Sequence, residues 1–259
     1  MNSAPEVSVA DKTSRINPVW RGQLFLFDAP RSPTYSSLQG YKLLAIFVFV
    51  EVIVRLLTRY EARSLGIAHR DWWTLLQVSV LLALALLLSA GFAGVPLSEL
   101  GLSSWRRWSK IEKFYFPQIL AISVAIFVIA QYSELKLLWV RSDLGRIACL
   151  IFVSQMIWGF YQEFMYRGIL QTELVRRCGA PTGILLSNLI FTFGPLHYYH
   201  FSLARQHAAH LWIFVGIFFT GLYFAILVQR SGNLWIAGIL HGVGDWFIDG
   251  LAEVSRMTR

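Results

Sequence analysis

"RIACLIFVSQMIWGFYQEFMYRGIL", residues Arg146 to Leu170, decides the fold. The run is long and apolar enough to cross a bilayer, which takes about 20 such residues. Yet Glu163 and Arg167 lie inside it. A charge at the bilayer centre costs about 3 kcal/mol on insertion scales. Ionisable groups in such places face the inside of a helix bundle, pair with one another and mark function by default. Glu163 and Arg167 sit at i and i+4, so a helix sets them on one face as an ion pair.

Further apolar runs flank this one. Together they predict about seven spans, near Tyr41 to Thr58, Trp72 to Ala93, Phe114 to Gln131, Arg146 to Leu170, Thr182 to Tyr199, Leu211 to Gln229 and Leu234 to Leu251. The composition agrees. Of 259 residues, 56% are hydrophobic and only 15% charged, against roughly 25% charged in soluble domains. The expected fold class is an all-α, polytopic transmembrane bundle of seven or eight spans around a polar intramembrane cavity. A single membrane domain is expected over 41–259, with the motif-bearing core at 146–252, after a cytoplasmic or interfacial segment at 1–40. Met1 to Asn17 carries no signal-peptide pattern.

The net charge of +8 reads as basic loops anchored on anionic headgroups; no nucleic-acid partner is expected. "VWRGQLFLF", Val19 to Phe27, has the aromatic and polar mixture of an interfacial segment. "SSWRRWSKIEKFYF", Ser103 to Phe116, reads as an interfacial amphipathic helix. Two cysteines give no disulfide framework: Cys149 is expected in the core and Cys178 in a polar turn.

Ionisable residues within the spans are few. Glu51 and Arg55 in the first span are one helical turn apart and read as an internal pair that packs this helix on a neighbour. "FTFGPLHYYH" sets His197 and His200 beyond Gly194-Pro195, which can break the helix and open a polar pocket. "LHGVGDWFID" places His241, Asp245 and Asp249 at helical spacing on one face. Buried groups on three spans point to an active site in the bundle core. A glutamate and a histidine can hold and deprotonate water, and a second histidine can donate to an oxyanion. No serine or cysteine has an obvious base. Water-mediated amide hydrolysis therefore fits, without a cofactor. The rival is a zinc site of His197, His241 and Glu163, although no HExxH pair is present. A histidine group at His200, His207 and His210 reads as a solvated interfacial cluster. A membrane-embedded metal or proton transporter, or a binding scaffold, would use the same groups differently.

The three motifs, in order, resemble the CPBP family, the CAAX proteases and bacteriocin-processing enzymes, which are membrane-embedded glutamic proteases. That family shows EExxxR, then FxxxH, then HxxxN or HxxxD. "QEFMYR" matches the first except at its opening position, "FGPLH" (Phe193 to His197) the second, and "HGVGD" (His241 to Asp245) the third. The resemblance covers about the last 110 residues and implies an intramembrane endopeptidase. It implies that Glu163 and Arg167 are paired charges, that His197 holds the water, and that His241 with Asp245 forms the oxyanion site. Trp158, Tyr166 and Phe193 are expected to contact substrate. Position 162, where the resemblance puts the general base, is Gln162, a neutral amide. Four explanations stay open: Glu163 is the base, the chain is a non-catalytic scaffold, the position departs from a natural glutamate, or the motif register is shifted. An ionised Asp245 would repel an oxyanion, so it is either protonated or orients His241. The substrate implied is a membrane-associated protein cut near its C-terminus. A myxosortase-like sorting protease of a bacterial cytoplasmic membrane is the expected setting.

Overall fold

A computed structural model describes residues 34–58, 71–141, 145–198, 200–201 and 211–256. No strand occurs among them. The helices are α1 (Ser37–Phe47), α2 (Asp71–Leu87), α3 (Lys110–Ala130), α4 (Tyr132–Val140), α5 (Gly145–Glu163), α6 (Thr172–Cys178), α7 (Ala180–Phe193), α8 (Leu211–Ser231), α9 (Leu234–Asp245) and α10 (Leu251–Arg256). Wider π-helical stretches extend α1, α2 and α9 and bridge α5 to α6. The fold is the all-α polytopic bundle expected from composition. The expected interfacial segment at Val19 to Phe27, Tyr199, and His207 and His210 lie outside the described residues.

Four helices are by themselves long and apolar enough to cross a membrane: Trp72–Phe92, Lys110–Ala130, Gly145–Cys178 and Leu211–Ser231. The other three expected spans do form helices, but each is short or charged. The α7 helix has 14 residues, α1 and its extension hold Lys42, Glu51 and Arg55, and α9 with its extension holds Asp245 and Asp249. The Gly145–Cys178 helix is 34 residues long, or about 50 Å at 1.5 Å per residue. That exceeds a hydrocarbon core of roughly 30 Å. Gln162 and Glu163 fall near its middle.

Small residues let the central helices approach closely. The packing between α5 and α9 is centred on Gly159 and Gly242. A Cβ on Gly159 would stand 2.7 Å from Gly242 Cα, and one on Gly242 would stand 2.8 Å from Met156 Cα. This crossing, one turn before the motif, sets Gln162 and Glu163 opposite His241 and Asp245. Polar side chains then tie the bridge between α5 and α6 to α8. Arg167 Nη2 donates to the Gly221 carbonyl at 2.9 Å and Gln171 Nε2 to the Ala225 carbonyl at 2.8 Å. The chain reverses at Gly179, whose φ of +79° favours glycine. At this end Glu173 is buried between Arg176 and Arg177, each 2.6 Å away, and accepts from the Tyr35 hydroxyl at 3.1 Å. The start of α1 is thereby latched to α6.

Two local expectations are corrected. Ser103 to Phe116 is not one amphipathic helix. A 3₁₀ turn at Trp105–Arg107 gives way to an extended Trp108, and α3 starts afresh at Lys110. The cause is a capping box: Ser109 Oγ accepts from Glu112 N, and Glu112 Oε2 accepts from Ser109 N. Cys149 is exposed on the outer face of α5 rather than in the core, and Cys178 is exposed as expected.

Candidate active site

A cavity of about 680 Å³ lies between α3, α5, α8, α9 and the turn that follows α7. Its apolar wall includes Trp158, Phe191, Ile217 and Phe224, and its polar groups are Ser123, Gln162, His197, His200, Thr220, Tyr223, His241, Asp245 and Asp249. An apolar cleft with a few convergent polar groups is the usual form of a small-substrate or peptide site. The motif residues among them come from α5, from the turn after α7 and from α9.

The first group comes from α5. Gln162 is its last residue but one and faces the cavity. Glu163 follows about 100° further round the helix and is completely buried behind the wall. Its Oε1 is 2.7 Å from His241 Nδ1, and its Oε2 is 3.4 Å from Arg167 Nε. Arg167 is equally buried, and its guanidinium lies 4.0 Å above the Phe191 ring. The π-helical stretch Phe164–Gln171 begins right after Glu163. Such bulges often accompany functional sites. Here the Thr172 hydroxyl donates to the Arg167 carbonyl at 3.0 Å.

The second group follows α7. That helix stops at Phe193, and a 3₁₀ turn at Pro195–His197 swings His197 into the cavity. Gly194-Pro195 breaks the helix as the sequence implies. His197 Nδ1 is 2.7 Å from the Phe191 carbonyl. A carbonyl can only accept, so Nδ1 carries the proton, and in the neutral ring Nε2 keeps the lone pair.

The third group lies on α9. His241 and Asp245 both line the cavity, with Asp249 on the π-helical extension. The His241 ring stacks on Phe224 at 5.3 Å and 25°. His241 Nε2 is 3.5 Å from Asp245 Oδ1, and Gln162 Nε2 is 3.4 Å from Asp245 Oδ2. Both contacts are long. The short bond to His241 comes from Glu163, so Glu163 rather than Asp245 orients the imidazole.

Gln162, His197, His241, Asp245 and Trp158 thus meet at one cavity, while Glu163 and Arg167 support it from behind. The other two expected substrate contacts lie elsewhere. Tyr166 is completely buried and bonds Glu51 Oε1 at 3.0 Å. Phe193 is half exposed and stacks on Phe214 at 5.6 Å, away from the cavity lining. Phe191, two residues earlier and therefore about 200° round the helix, takes the inward place. Its ring meets His197 at 4.9 Å and His241 at 6.1 Å. Its carbonyl and both of those contacts were not foreseen; an aromatic at i−2 from the helix break was the available signal. Glu163 is not on the cavity side with His197 and His241, and no three His, Cys, Asp or Glu side chains among the described residues converge as metal ligands.

Chemically, the cavity offers an imidazole lone pair, a carboxylate-tethered imidazole that can donate, and an amide between them. Residues 144–247 match the family model "Type II CAAX prenyl endopeptidase Rce1-like". That range contains all three motifs and leaves α1 to α4 outside. No curated protein and no solved structure matches the chain. The match supports a CAAX-type intramembrane endopeptidase in general, acting on a protein substrate within a membrane. Residues 144–247, which supply most of the cavity lining, are thus similar to the Rce1-like type II CAAX prenyl endopeptidases.

Proposed function

We propose that the cavity hydrolyses a peptide bond near the C-terminus of a membrane-associated protein, with water as the nucleophile and no metal. The observation that carries this reading is the His197 Nδ1 contact with the Phe191 carbonyl at 2.7 Å. It fixes the tautomer whose Nε2 can take a proton from water. As the water oxygen bonds the carbonyl carbon, that proton passes to His197. The oxyanion accepts from His241 Nε2–H in the imidazolium form, whose Nδ1–H is already held by Glu163. The 3.5 Å gap to Asp245 leaves Nε2–H free to turn to the oxyanion. Collapse breaks the C–N bond, and His197 returns the proton to the leaving amine. The Gln162 amide positions the water but takes no proton. Arg167 balances the buried Glu163 charge. The setting, on this reading, is a bacterial cytoplasmic membrane.

His197→Ala and His241→Ala test the reading in cells carrying a membrane-anchored reporter. Loss of processing with unchanged protein level is the expected result; full processing by both variants would refute it. The neutral amide at position 162 favours a second reading, a peptide-binding scaffold that retains substrate without cleaving it.

A further inference from the structure

Glu51 lies on the π-helical extension of α1, outside residues 144–247, and is completely buried. Its carboxylate accepts from the Tyr161 hydroxyl at 2.7 Å and the Tyr166 hydroxyl at 3.0 Å, and pairs with Arg55 Nη2 at 2.9 Å. The two tyrosines bracket Gln162 and Glu163. At i and i+5 they would stand about 140° apart on a regular α-helix. The wider turn beginning at Phe164 brings both hydroxyls onto one carboxylate.

Each tyrosine also reaches a wall of the site. Tyr161 stacks on Trp158 at 5.6 Å and 22°, and Trp158 lines the cavity. Tyr166 meets the Phe191 ring edge-on at 5.2 Å, and Phe191 seats both His197 and Arg167. A buried ion pair is a weak source of stability, because desolvation offsets its attraction. Packing alone would be met by apolar side chains.

We propose that Glu51 is a positioning residue of the active site, acting through Tyr161 and Tyr166. The clamp fixes the rotation of the motif helix, with Gln162 turned to the cavity and Glu163 to His241, and it holds Phe191 under His197. The proposal rests on the hydrolytic reading of the cavity.

The test uses full-length protein in lipid nanodiscs. Tyr161→Phe, Tyr166→Phe and the double variant each remove a hydroxyl and leave the Glu51–Arg55 pair intact. Val254→Ala, in a separate cluster with Ala148 and Ile151, supplies a destabilised control. Three quantities are measured: thermal midpoint, kcat and KM on a fluorogenic farnesylated CAAX peptide, and the rate of His197 carbethoxylation by diethyl pyrocarbonate, read by mass spectrometry. Displacement of catalytic groups by about 1 Å can cost 10²-fold in rate. The double variant should therefore lose about tenfold or more in kcat with KM little changed. His197 should react several-fold faster or slower than in Val254→Ala at a matched loss of thermal midpoint. Values of kcat and modification rate that follow thermal midpoint as in the control would overturn the proposal. If no protein, the unsubstituted one included, cleaves the peptide, the hydrolytic reading fails instead. The carbethoxylation rates alone then decide the positioning role, by the same comparison.

Discussion

His241 Nδ1 lies 2.7 Å from Glu163 Oε1, where the carboxylate is completely buried and the imidazole borders the cavity. The glutamate is therefore a shared partner, to His241 on α9 and to Arg167 on its own helix. Removing one member of such a buried set leaves an uncompensated charge, which costs about 3–5 kcal/mol. Glu163→Gln should accordingly lower the thermal midpoint sharply and reduce the folded yield. Size-exclusion chromatography after a heat step reads both. A stable Glu163→Gln protein would show that the Arg167 charge is met elsewhere.

His197 is expected to matter for chemistry rather than folding, since its side chain faces the cavity. His197→Gln should keep its thermal midpoint within a few degrees and lose about 10²–10⁴-fold in kcat, the usual worth of a general base. A chelator should leave the unsubstituted enzyme unchanged. Loss of activity on chelation, restored by zinc, would establish a metal route instead.

Asp245 faces both Gln162 and His241 across long contacts. Asp245→Asn keeps the shape, removes a charge that opposes an oxyanion, and adds a donor. Turnover should be kept or raised. Asp245→Ala removes the acceptor that Gln162 and His241 face and adds no donor, so its turnover should fall below that of Asp245→Asn. Steady-state kinetics on the pair separate the two effects. A severe loss in Asp245→Asn would mean that the negative charge itself is needed.

The crossing of α5 and α9 depends on the lack of side chains at Gly159 and Gly242. Gly159→Ala should push the helices apart at a cost of about 1–3 kcal/mol. Activity should fall further than stability, because the same crossing sets the Glu163–His241 distance. Gly145→Ala meets open space and should change neither. Thermal midpoints and kcat for both variants check this.

The sequence displayed the bundle because lipid allows few alternatives. Every expected span forms a helix over its described residues, and among those residues four helices stand as spans by length and apolarity. The cavity residues Gln162, His197, His241 and Asp245 were readable because polar groups inside apolar runs are rare and costly. What stayed hidden depended on helix rotation. Tyr166 and Phe193 are aromatic neighbours of the motifs, yet one faces Glu51 and the other faces outward. Spacing alone does not foresee the π-helical turn that rotates Tyr166, nor that Phe191 rather than Phe193 takes the inward place on α7. The partner of the Glu51–Arg55 pair was equally unseen, because contacts between α1 and α5 are remote in sequence. The charges themselves were visible; their tyrosine partners carried no signal.

The central claim is that the cavity is a water-activating hydrolytic site, weakened at position 162 by a neutral amide. The most direct test compares the unsubstituted protein with Gln162→Glu, each in lipid nanodiscs, on the same membrane-anchored peptide substrate. A carboxylate there adds a second base beside His197. Cleavage by both is predicted, with Gln162→Glu faster by about 10²-fold, the lower end of general-base catalysis. No cleavage by either protein, with the peptide still bound, would contradict the account and leave a scaffold.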